Sequence, residues 1–321
     1  MLNRTLVKMD LRRLAALVVV ACAGQSFAEE SVEPTYLGNV RQVTSGFVKA
    51  GEGYFSPDMK TIIYQAISKD YPFYQIYTQP LAGGPPQMVS TGRGRTTCSY
   101  FTPDGSKILF SSSHLDPKLD ETEAAELKRQ AEEARSGKRS RYSWPFDPQM
   151  DIFEADPDGN NLRRLTTAHG YDAEAAYSPD GRSIVFTSTR DGDPDLFVMN
   201  ADGTGVRQLT DVPGYDGGPF TSPDNQWVIF RSDRKKEHYL QIHAIRIDGT
   251  DDVALTEGEA VNWAPYWHPT APYIIWAGAD HSNPNARPNY DLWLMRYEIA
   301  EGKLGRGSTW RITDHAAADV L

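Results

Sequence analysis

Short apolar runs recur along the chain between polar turns. Each run spans four residues rich in β-branched and aromatic side chains, and the runs are 61–64, 107–110, 183–186, 227–230 and 273–276. A second apolar run follows each of them, and a third short run, often closed by Thr, completes the unit. Strands of this length between Gly, Asp and Pro turns predict an all-β fold.

The turn before each run is repeated as well. Ser-Pro-Asp stands at 56–58, 178–180 and 222–224, Thr-Pro-Asp at 102–104, and a degenerate copy at 267–270. The prolines are 46, 76, 44 and 46 residues apart, which indicates one repeated unit with an insertion in its second copy. Because Pro fixes φ and Asp bonds to nearby amides in such turns, we assign these Ser and Asp residues to structure rather than to catalysis.

Each unit has four short strands, and a lone four-stranded sheet cannot bury both of its faces. Radial packing covers every face with a neighbouring sheet and lines a central channel with the innermost strands. The sequence therefore predicts an all-β β-propeller of four-stranded blades, with one helical insertion in blade two. Five blades are complete, at about 45–90, 91–166, 167–210, 211–256 and 257–313.

The two ends of the repeat array predict a partial sixth blade. Residues 40–44 match the last strand of a blade, and residues 316–321 resemble the start of a first strand, where Asp319 holds the first channel position. Three interpretations stay open: a five-bladed ring, a truncated chain, or exposed sheet edges that invite pairing with a partner.

The third copy carries the most specific motif. Residues 177–204 begin Tyr-Ser-Pro-Asp-Gly-Arg-Ser-Ile-Val-Phe and resemble the WD40-like PD40 repeat of the TolB-like β-propeller family. The resemblance covers about 40–321 and implies a periplasmic protein-binding or scaffold module in envelope biopolymer transport. The same repeat also caps some serine peptidases, so function has to be argued from the sites.

Residues 1–28 have the order of a secretory signal peptide: basic residues, then an apolar run of eleven residues, then a site that predicts cleavage after Ala28. We therefore expect a periplasmic or secreted protein, with a linker at 29–39 and the propeller at 40–321. An uncleaved anchor and lipidation at Cys22 are the alternatives, and any other membrane contact is expected to be peripheral.

The net charge of the chain limits the classes of partner that it is expected to bind. The 321 residues carry a formal charge of −10, and removal of residues 1–28, which hold four basic residues and one acid, makes it −13. An acidic protein repels phosphate, so no nucleic-acid partner is predicted.

Several polar residues precede the repeated turns, at the place where the family has its channel mouth. The candidate binding residues are Glu52, Asp172, Glu174, Asp216 and Asn262. Carboxylates gathered at one mouth would focus negative potential and attract a cation or a basic peptide of a protein partner. Ordinary solvated acids are the alternative explanation.

The insertion at 114–149 falls between the second and third strands of blade two and is expected over the same mouth. Residues 120–136 predict a helix, with acids near its start and Gly137 after its end. The candidate residues for a lid or partner-docking arm follow it: Arg139, Arg141, Tyr142, Trp144 and Phe146. A plain surface excursion pinned by the aromatic residues is the alternative.

Catalytic motifs are missing from the sequence. It has no Gly-x-Ser-x-Gly elbow, no His-Glu-x-x-His helix and no phosphate-binding loop, and only Cys98 remains after cleavage. We therefore predict a non-catalytic protein without a cofactor.

Residues 190–195 alternate acids like a Ca²⁺ loop but lack the twelve-residue EF-hand frame and its closing Glu. A bound divalent ion therefore stays an open alternative, and no metal ligands are assigned. The enzyme alternative is a metal-dependent carbohydrate-active lyase or hydrolase in the channel.

Overall fold

The computed structural model describes residues 31–137, 146–283, 285 and 288–319. These residues form five antiparallel four-stranded sheets and two helices, so the all-β fold with five complete blades is confirmed. The predicted signal peptide, with Cys22 and the cleavage site, lies outside the described residues. So do four of the five arm residues: Arg139, Arg141, Tyr142 and Trp144.

The strands of each blade pair in chain order after a short helix, α1 Glu33–Tyr36. Their bounds are β1 Lys49–Phe55, β2 Thr61–Ile67, β3 Gln75–Pro80 and β4 Gln87–Met88 in blade one; β5 Thr96–Phe101, β6 Ile108–Ser112, β7 Asp151–Ala155 and β8 Arg163–Arg164 in blade two; β9 Asp172–Tyr177, β10 Ser183–Ser188, β11 Asp195–Asn200 and β12 Arg207–Gln208 in blade three; β13 Asp216–Thr221, β14 Trp227–Ser232, β15 Gln241–Arg246 and β16 Val253–Ala254 in blade four; β17 Ala260–Trp267, β18 Tyr273–Asp280, β19 Asp291–Ala300 and β20 Lys303–Arg311 in blade five.

The innermost strand of every blade bends at one residue in the left-handed conformation. The pairing with the second strand slips at this point in all five blades. Such a bulge twists a strand and redirects its side chains. The five residues have φ between 50° and 62° and are Glu52, Cys98, Glu174, Gly218 and Ala264.

A hydroxyl group holds each outermost strand to the third strand. Thr210 accepts a hydrogen bond of 2.9 Å from the amide of Leu196 and donates one of 3.0 Å to Asp195. Four of the outermost strands are only two residues long, so this contact supplements a very short ladder. The equivalent hydroxyls of the other blades accept the same amide bond and belong to Ser90, Thr166, Thr256 and Thr313.

Consecutive blades are joined by buried apolar clusters. Val185 and Leu196 of blade three, for example, pack with Val228 and Phe230 of blade four. Similar clusters join blades one and two, two and three, and four and five. Within the described residues no such cluster joins blade five to blade one.

The two segments of the predicted sixth blade are held beside this opening. The amide of Asp319 donates to the carbonyl of Tyr290 at 2.7 Å, just as Asp172 donates to Met150 at 2.9 Å in the complete array. At the other end, the carbonyl of Val43 accepts a hydrogen bond from Gln79 of blade one. Neither segment forms a strand in the part that the structure describes.

The insertion of blade two forms helix α2, Leu119–Ser136, one residue longer than predicted, and Gly137 ends it in the left-handed conformation. The helix is fastened to the connection between blades one and two, where Arg93 pairs with Asp120 at 2.5 Å and with Glu123 at 2.7 Å. Neither described helix is long and apolar enough to cross a membrane.

We expect Asp195 to make stability fall with rising pH. Burial raises its pKa from 3.8 to about 7, and nearby carboxylates, Asp216 first, add to the shift. The folded chain therefore binds a proton more tightly than the unfolded chain, and stability is lost as pH rises between about 4 and 7. After allowance for solvent screening, Asp195→Asn should remove about 1–2 kcal/mol of this loss. Urea unfolding at pH 5 and pH 8 tests this, and equal losses in the variant and the unchanged chain would contradict it.

Candidate functional site

An aromatic cluster lies on the innermost strands, on the side of the repeated turns. Its members lie two residues before each turn, where blade three instead has Ala176. The hydroxyls of Tyr100 and Tyr266 share a hydrogen bond of 2.6 Å. The ring of Tyr54 lies 5.0 Å from Tyr100, 5.7 Å from Phe220 and 6.0 Å from Tyr266. We call Tyr54, Tyr100, Phe220 and Tyr266 the aromatic floor, and we call the polar region around Glu52, Glu174 and Arg231 the recess.

A buried charge pair lies above the aromatic floor. Arg231 of β14 meets the carboxylate of Glu174 at 3.1 Å, and their side chains are only 10% and 6% exposed. The same carboxylate accepts hydrogen bonds from the hydroxyls of Tyr215 at 2.7 Å and Tyr171 at 3.2 Å. Each charge thereby compensates the desolvation of the other. Burial of either charge without its partner would be strongly destabilising.

Two glycines make room for this pair. A Cβ atom on Gly218 would lie 2.1 Å from Nη1 of Arg231, and one on Gly217 would lie 2.1 Å from the hydroxyl oxygen of Tyr215. On its other side the guanidinium lies 3.8 Å from the centre of the Trp263 ring. In blade four, the innermost strand therefore has two glycines at the place where the second strand carries the large side chain of Arg231.

Glu52 and Cys98 occupy the bulges of blades one and two in the same recess. Burial raises the pKa of Glu52, whereas a hydrogen bond with Cys98 and the charge of Arg231 act in the opposite direction. Burial also raises the pKa of the Cys98 thiol well above its usual value, so the thiol stays protonated at neutral pH. Within the described residues Glu52 forms no salt bridge, which distinguishes it from Glu174.

The five predicted mouth residues fall into two groups. Glu52 and Glu174 come together in the recess, close enough for their charges to interact. The others are buried within blades: Asp172 pairs with Arg190 at 2.9 Å, Asp216 pairs with Arg234, and Asn262 accepts a hydrogen bond from Trp276 at 2.8 Å.

Sequence reasoning missed Arg231, Trp263 and the aromatic floor. The floor could have been found by aligning the position two residues before each turn, which is aromatic in four of five copies. Arg231 gave no such signal, because its contact with Glu174 joins two different blades.

Two described parts of the insertion contact the blades. Helix α2 lies against blade one, where Gln130 donates a hydrogen bond of 3.0 Å to the carbonyl of Pro72. Phe146 lies against the far blades, with its ring 5.2 Å from Tyr171 and 5.9 Å from Tyr215. Phe146 therefore contacts both tyrosines that hold Glu174.

No group of three or more His, Cys, Asp or Glu side chains in the described part of the chain is placed to hold a metal ion. In the acidic loop 190–195, Asp193 accepts a hydrogen bond from the amide of Gly214 and Asp191 accepts one from Gln208. Both carboxylates thus tie this loop to its own blade and to the next connection.

Comparison with known proteins supports the predicted resemblance. The family model of the TolB beta propeller domain matches residues 136–277. A Protein TolB homolog of Chlorobium luteolum is 28% identical over 133 residues, which are 38% of this chain and 30% of that protein. The Tol-Pal system protein TolB of Bordetella pertussis is 56% identical over 36 residues, 11% of this chain and 8% of that protein. The matched segments thus span less than a third of either relative.

A solved structure assigned to TolB of Agrobacterium tumefaciens has a TM-score of 0.60 and 21% identity, and the match covers 82% of this chain and 80% of that one. At this identity the likeness concerns the fold alone. Together with the family match, it confirms the resemblance predicted from the repeated turns.

We expect the Glu174–Arg231 pair to behave as a coupled buried unit. Glu174→Gln should cost about 3 kcal/mol of unfolding free energy, because it leaves a buried guanidinium without its counter-charge. The double variant with Arg231→Met should cost less than the sum of the two single variants. Urea unfolding of the four proteins measures this.

The pair Glu154–Arg163, also 3.1 Å apart, is a matched control in which the cation is largely exposed although the carboxylate is not. Because Arg163 is 48% exposed, Glu154→Gln should cost less than about 1 kcal/mol. Additive losses at 174 and 231, or equal losses at 154 and 174, would contradict the expected coupling.

Proposed function

We propose that this chain, a TolB-like β-propeller, is a non-catalytic protein-binding module of the bacterial periplasm that receives a basic segment of its partner in the channel mouth. The Bordetella relative is named as a Tol-Pal system protein. The proposal therefore places this chain in a scaffold of the same kind, which serves transport in the cell envelope.

The observation that carries the proposal is the arrangement of charge in the recess. On the side of the repeated turns, the rings of the aromatic floor contact one another across four blades. Arg231 is already neutralised by Glu174, whereas Glu52 has no described basic partner at salt-bridge distance. A Lys or Arg side chain that enters the recess would meet Glu52 in a region of low dielectric, where such a contact is strong.

The insertion supports a protein partner rather than a small ligand. Helix α2 contacts blade one, whereas Phe146 contacts Tyr171 and Tyr215 of blades three and four and is 41% exposed. An exposed aromatic residue beside a charged recess is typical of a protein interface. The enzyme alternative calls for three or more metal ligands around one ion, and no observation on the described residues favours it.

The first partner to test is Pal from the same bacterium. Glu52→Gln should weaken the binding of Pal about tenfold, because it removes one charge-assisted contact. Phe146→Ala should weaken it by a similar factor through lost aromatic contact. Isothermal titration at low and physiological salt gives the dissociation constants, and we expect the effect of Glu52→Gln to persist at physiological salt, because a buried charge pair is screened little.

Asp248→Asn is the matched control, since Asp248 is an exposed acid in the turn between β15 and β16, on the opposite face from the mouth. It should leave binding unchanged. Equal loss in all three variants would indicate non-specific attraction to an acidic surface. Unchanged binding in both Glu52→Gln and Phe146→Ala would remove the channel mouth from the interface.

A further inference from the structure

On the side of the repeated turns, an arginine repeatedly bonds the backbone of the next blade. Arg163 of β8 donates a hydrogen bond of 3.1 Å to the carbonyl of Asp202 in blade three. Arg207 of β12 donates one of 2.5 Å to the carbonyl of Ile247 in blade four. Each acceptor lies in the turn between the third and the outermost strand. Two further bonds of the same kind run from Arg41 to Leu81 in blade one and from Arg246 to Gly302 in blade five.

The step from blade one to blade two lacks this arginine. Gln87 of β4 stands at the corresponding place, since it pairs with β3 in the register in which Arg163 and Arg207 pair with β7 and β11. Pro157 stands in the turn of blade two where Ile247 stands in blade four. Within the described residues nothing donates a hydrogen bond to the carbonyl of Pro157. The turn of blade two therefore keeps a carbonyl without the donor that this turn has in the other blades.

A groove of about 880 Å³ lies at this place, between blades one and two. Pockets that hold ligands have about 300–1,000 Å³, so this volume suffices for a bound side chain and for the backbone on either side of it. Prolines form much of its wall, and they are Pro57, Pro80, Pro85 and Pro157. Because proline side chains have little freedom to lose, a ligand can pack on them at small entropic cost.

The groove is open because the side chains that fill its counterpart between blades two and three are absent. In that counterpart Arg163 pairs with Glu154 at 3.1 Å. In blade one, Gln87 holds the place of Arg163 and Thr78 holds the place of Glu154. Short uncharged side chains thus stand where the next blade has an ion pair.

Thr78 presents a polar atom to the groove. The residue lines the groove and is 9% exposed, and its hydroxyl makes no hydrogen bond with a described residue. At the same place in blade two, Glu154 has both Arg163 and Tyr177 as partners. Because nearly buried polar groups are as a rule hydrogen-bonded, this hydroxyl marks a point where a ligand can be bound.

Two carboxylates line the same groove, Asp58 from the turn of blade one and Asp104 from that of blade two. A hydrogen bond from Ser56 lowers the pKa of Asp58, and one from the amide of Ser106 lowers the pKa of Asp104 to about 2, so both are ionised at neutral pH. Among the described residues, Asp104 forms no salt bridge and Asp58 has only the exposed Lys60 at 3.5 Å. None of the described residues that line the groove is basic. A cationic ligand would complement this charge.

We propose that the groove between blades one and two binds an arginine side chain in an extended segment of a partner protein. The guanidinium would donate to the carbonyl of Pro157, as Arg207 donates to that of Ile247, and would pair with Asp104. Its planar fork can bond both acceptors at once, which the point charge of a lysine does less well. The aliphatic stem would pack on the prolines.

The groove favours a peptide over a small guanidinium compound because it offers more contacts than a guanidinium needs. The hydroxyls of Thr61 and Thr78 and the amide of Gln87 line it and can bond the carbonyl and amide groups of a bound backbone. The groove lies on the side of the repeated turns, away from the channel mouth. It would therefore be a second contact, separate from the interface proposed above.

The test measures the binding of a short peptide to the full chain. The probe is the labelled pentapeptide Ser-Pro-Arg-Pro-Ser, whose prolines hold it extended. Fluorescence anisotropy should show saturable binding of one peptide per chain, with a dissociation constant below about 1 mM. The same peptide with citrulline in place of arginine keeps the shape but not the charge, so it should bind about tenfold more weakly. A lysine in that place should weaken binding about threefold.

Gln87→Arg supplies from within the side chain that the groove lacks. It should weaken peptide binding about tenfold or more and raise the melting temperature by about 2 °C, since it adds a hydrogen bond from a charged group. Thr61→Lys is a second filling variant, because blade two has Lys107 at this place, and it should weaken binding as well. Gln226→Arg adds the same charge at an exposed place in blade four and should leave binding unchanged.

Glu52→Gln should also leave peptide binding unchanged, so the outcome at this groove is independent of the outcome at the channel mouth. Absence of saturable binding, equal binding of the citrulline peptide, or unchanged binding to Gln87→Arg would overturn the proposal. If arginine amide bound as tightly as the peptide, the groove would be assigned to a small guanidinium compound instead of a partner protein.

Discussion

The whole structure depends on covering both faces of each four-stranded sheet. A blade has one apolar face towards the preceding blade and one towards the next, and neither can be left in water without a cost of about 25 cal/mol for each Å² of apolar surface. Radial packing meets this demand at four interfaces, where residues such as Phe110 and Phe230 are fully buried. The channel, its aromatic floor and the alignment of five bulges all follow from this packing.

A second constraint is that the buried charge of Arg231 must be compensated, and the neighbouring carboxylate of Glu174 does this. Arg231 is only 10% exposed, so little water could replace Glu174, and the two tyrosines that bond Glu174 have their own hydroxyls satisfied by the same carboxylate. Gly217 and Gly218 are part of this solution because any side chain there would occupy the space of the pair. The site thus has a rigid neutral part, formed by Arg231 and Glu174, and an acidic part at Glu52.

The fold could be predicted from sequence because its signals are local. Pro57 and its equivalents mark each turn, and the apolar run that follows marks each second strand, so counting copies was enough to count blades. The site could be predicted only in part. Glu52 and Glu174 were identified by their distance from the turn, but the same rule selected Asp172 and Asp216, which pair with Arg190 and Arg234 inside their blades. That pairing could have been expected from the Ser-x-Arg sequence at the end of both second strands, whereas the contact between Glu174 and Arg231 required the ring itself.

The acidic part of the recess is governed by burial. Glu52 lies on β1, and burial raises its pKa, whereas a hydrogen bond with Cys98 and the charge of Arg231 act in the opposite direction. A basic side chain bound beside Glu52 would act in the same direction as Arg231 and favour the charged form of the carboxyl. Their contact would be screened by little water. Binding of a basic segment and ionisation of Glu52 are therefore expected to favour one another.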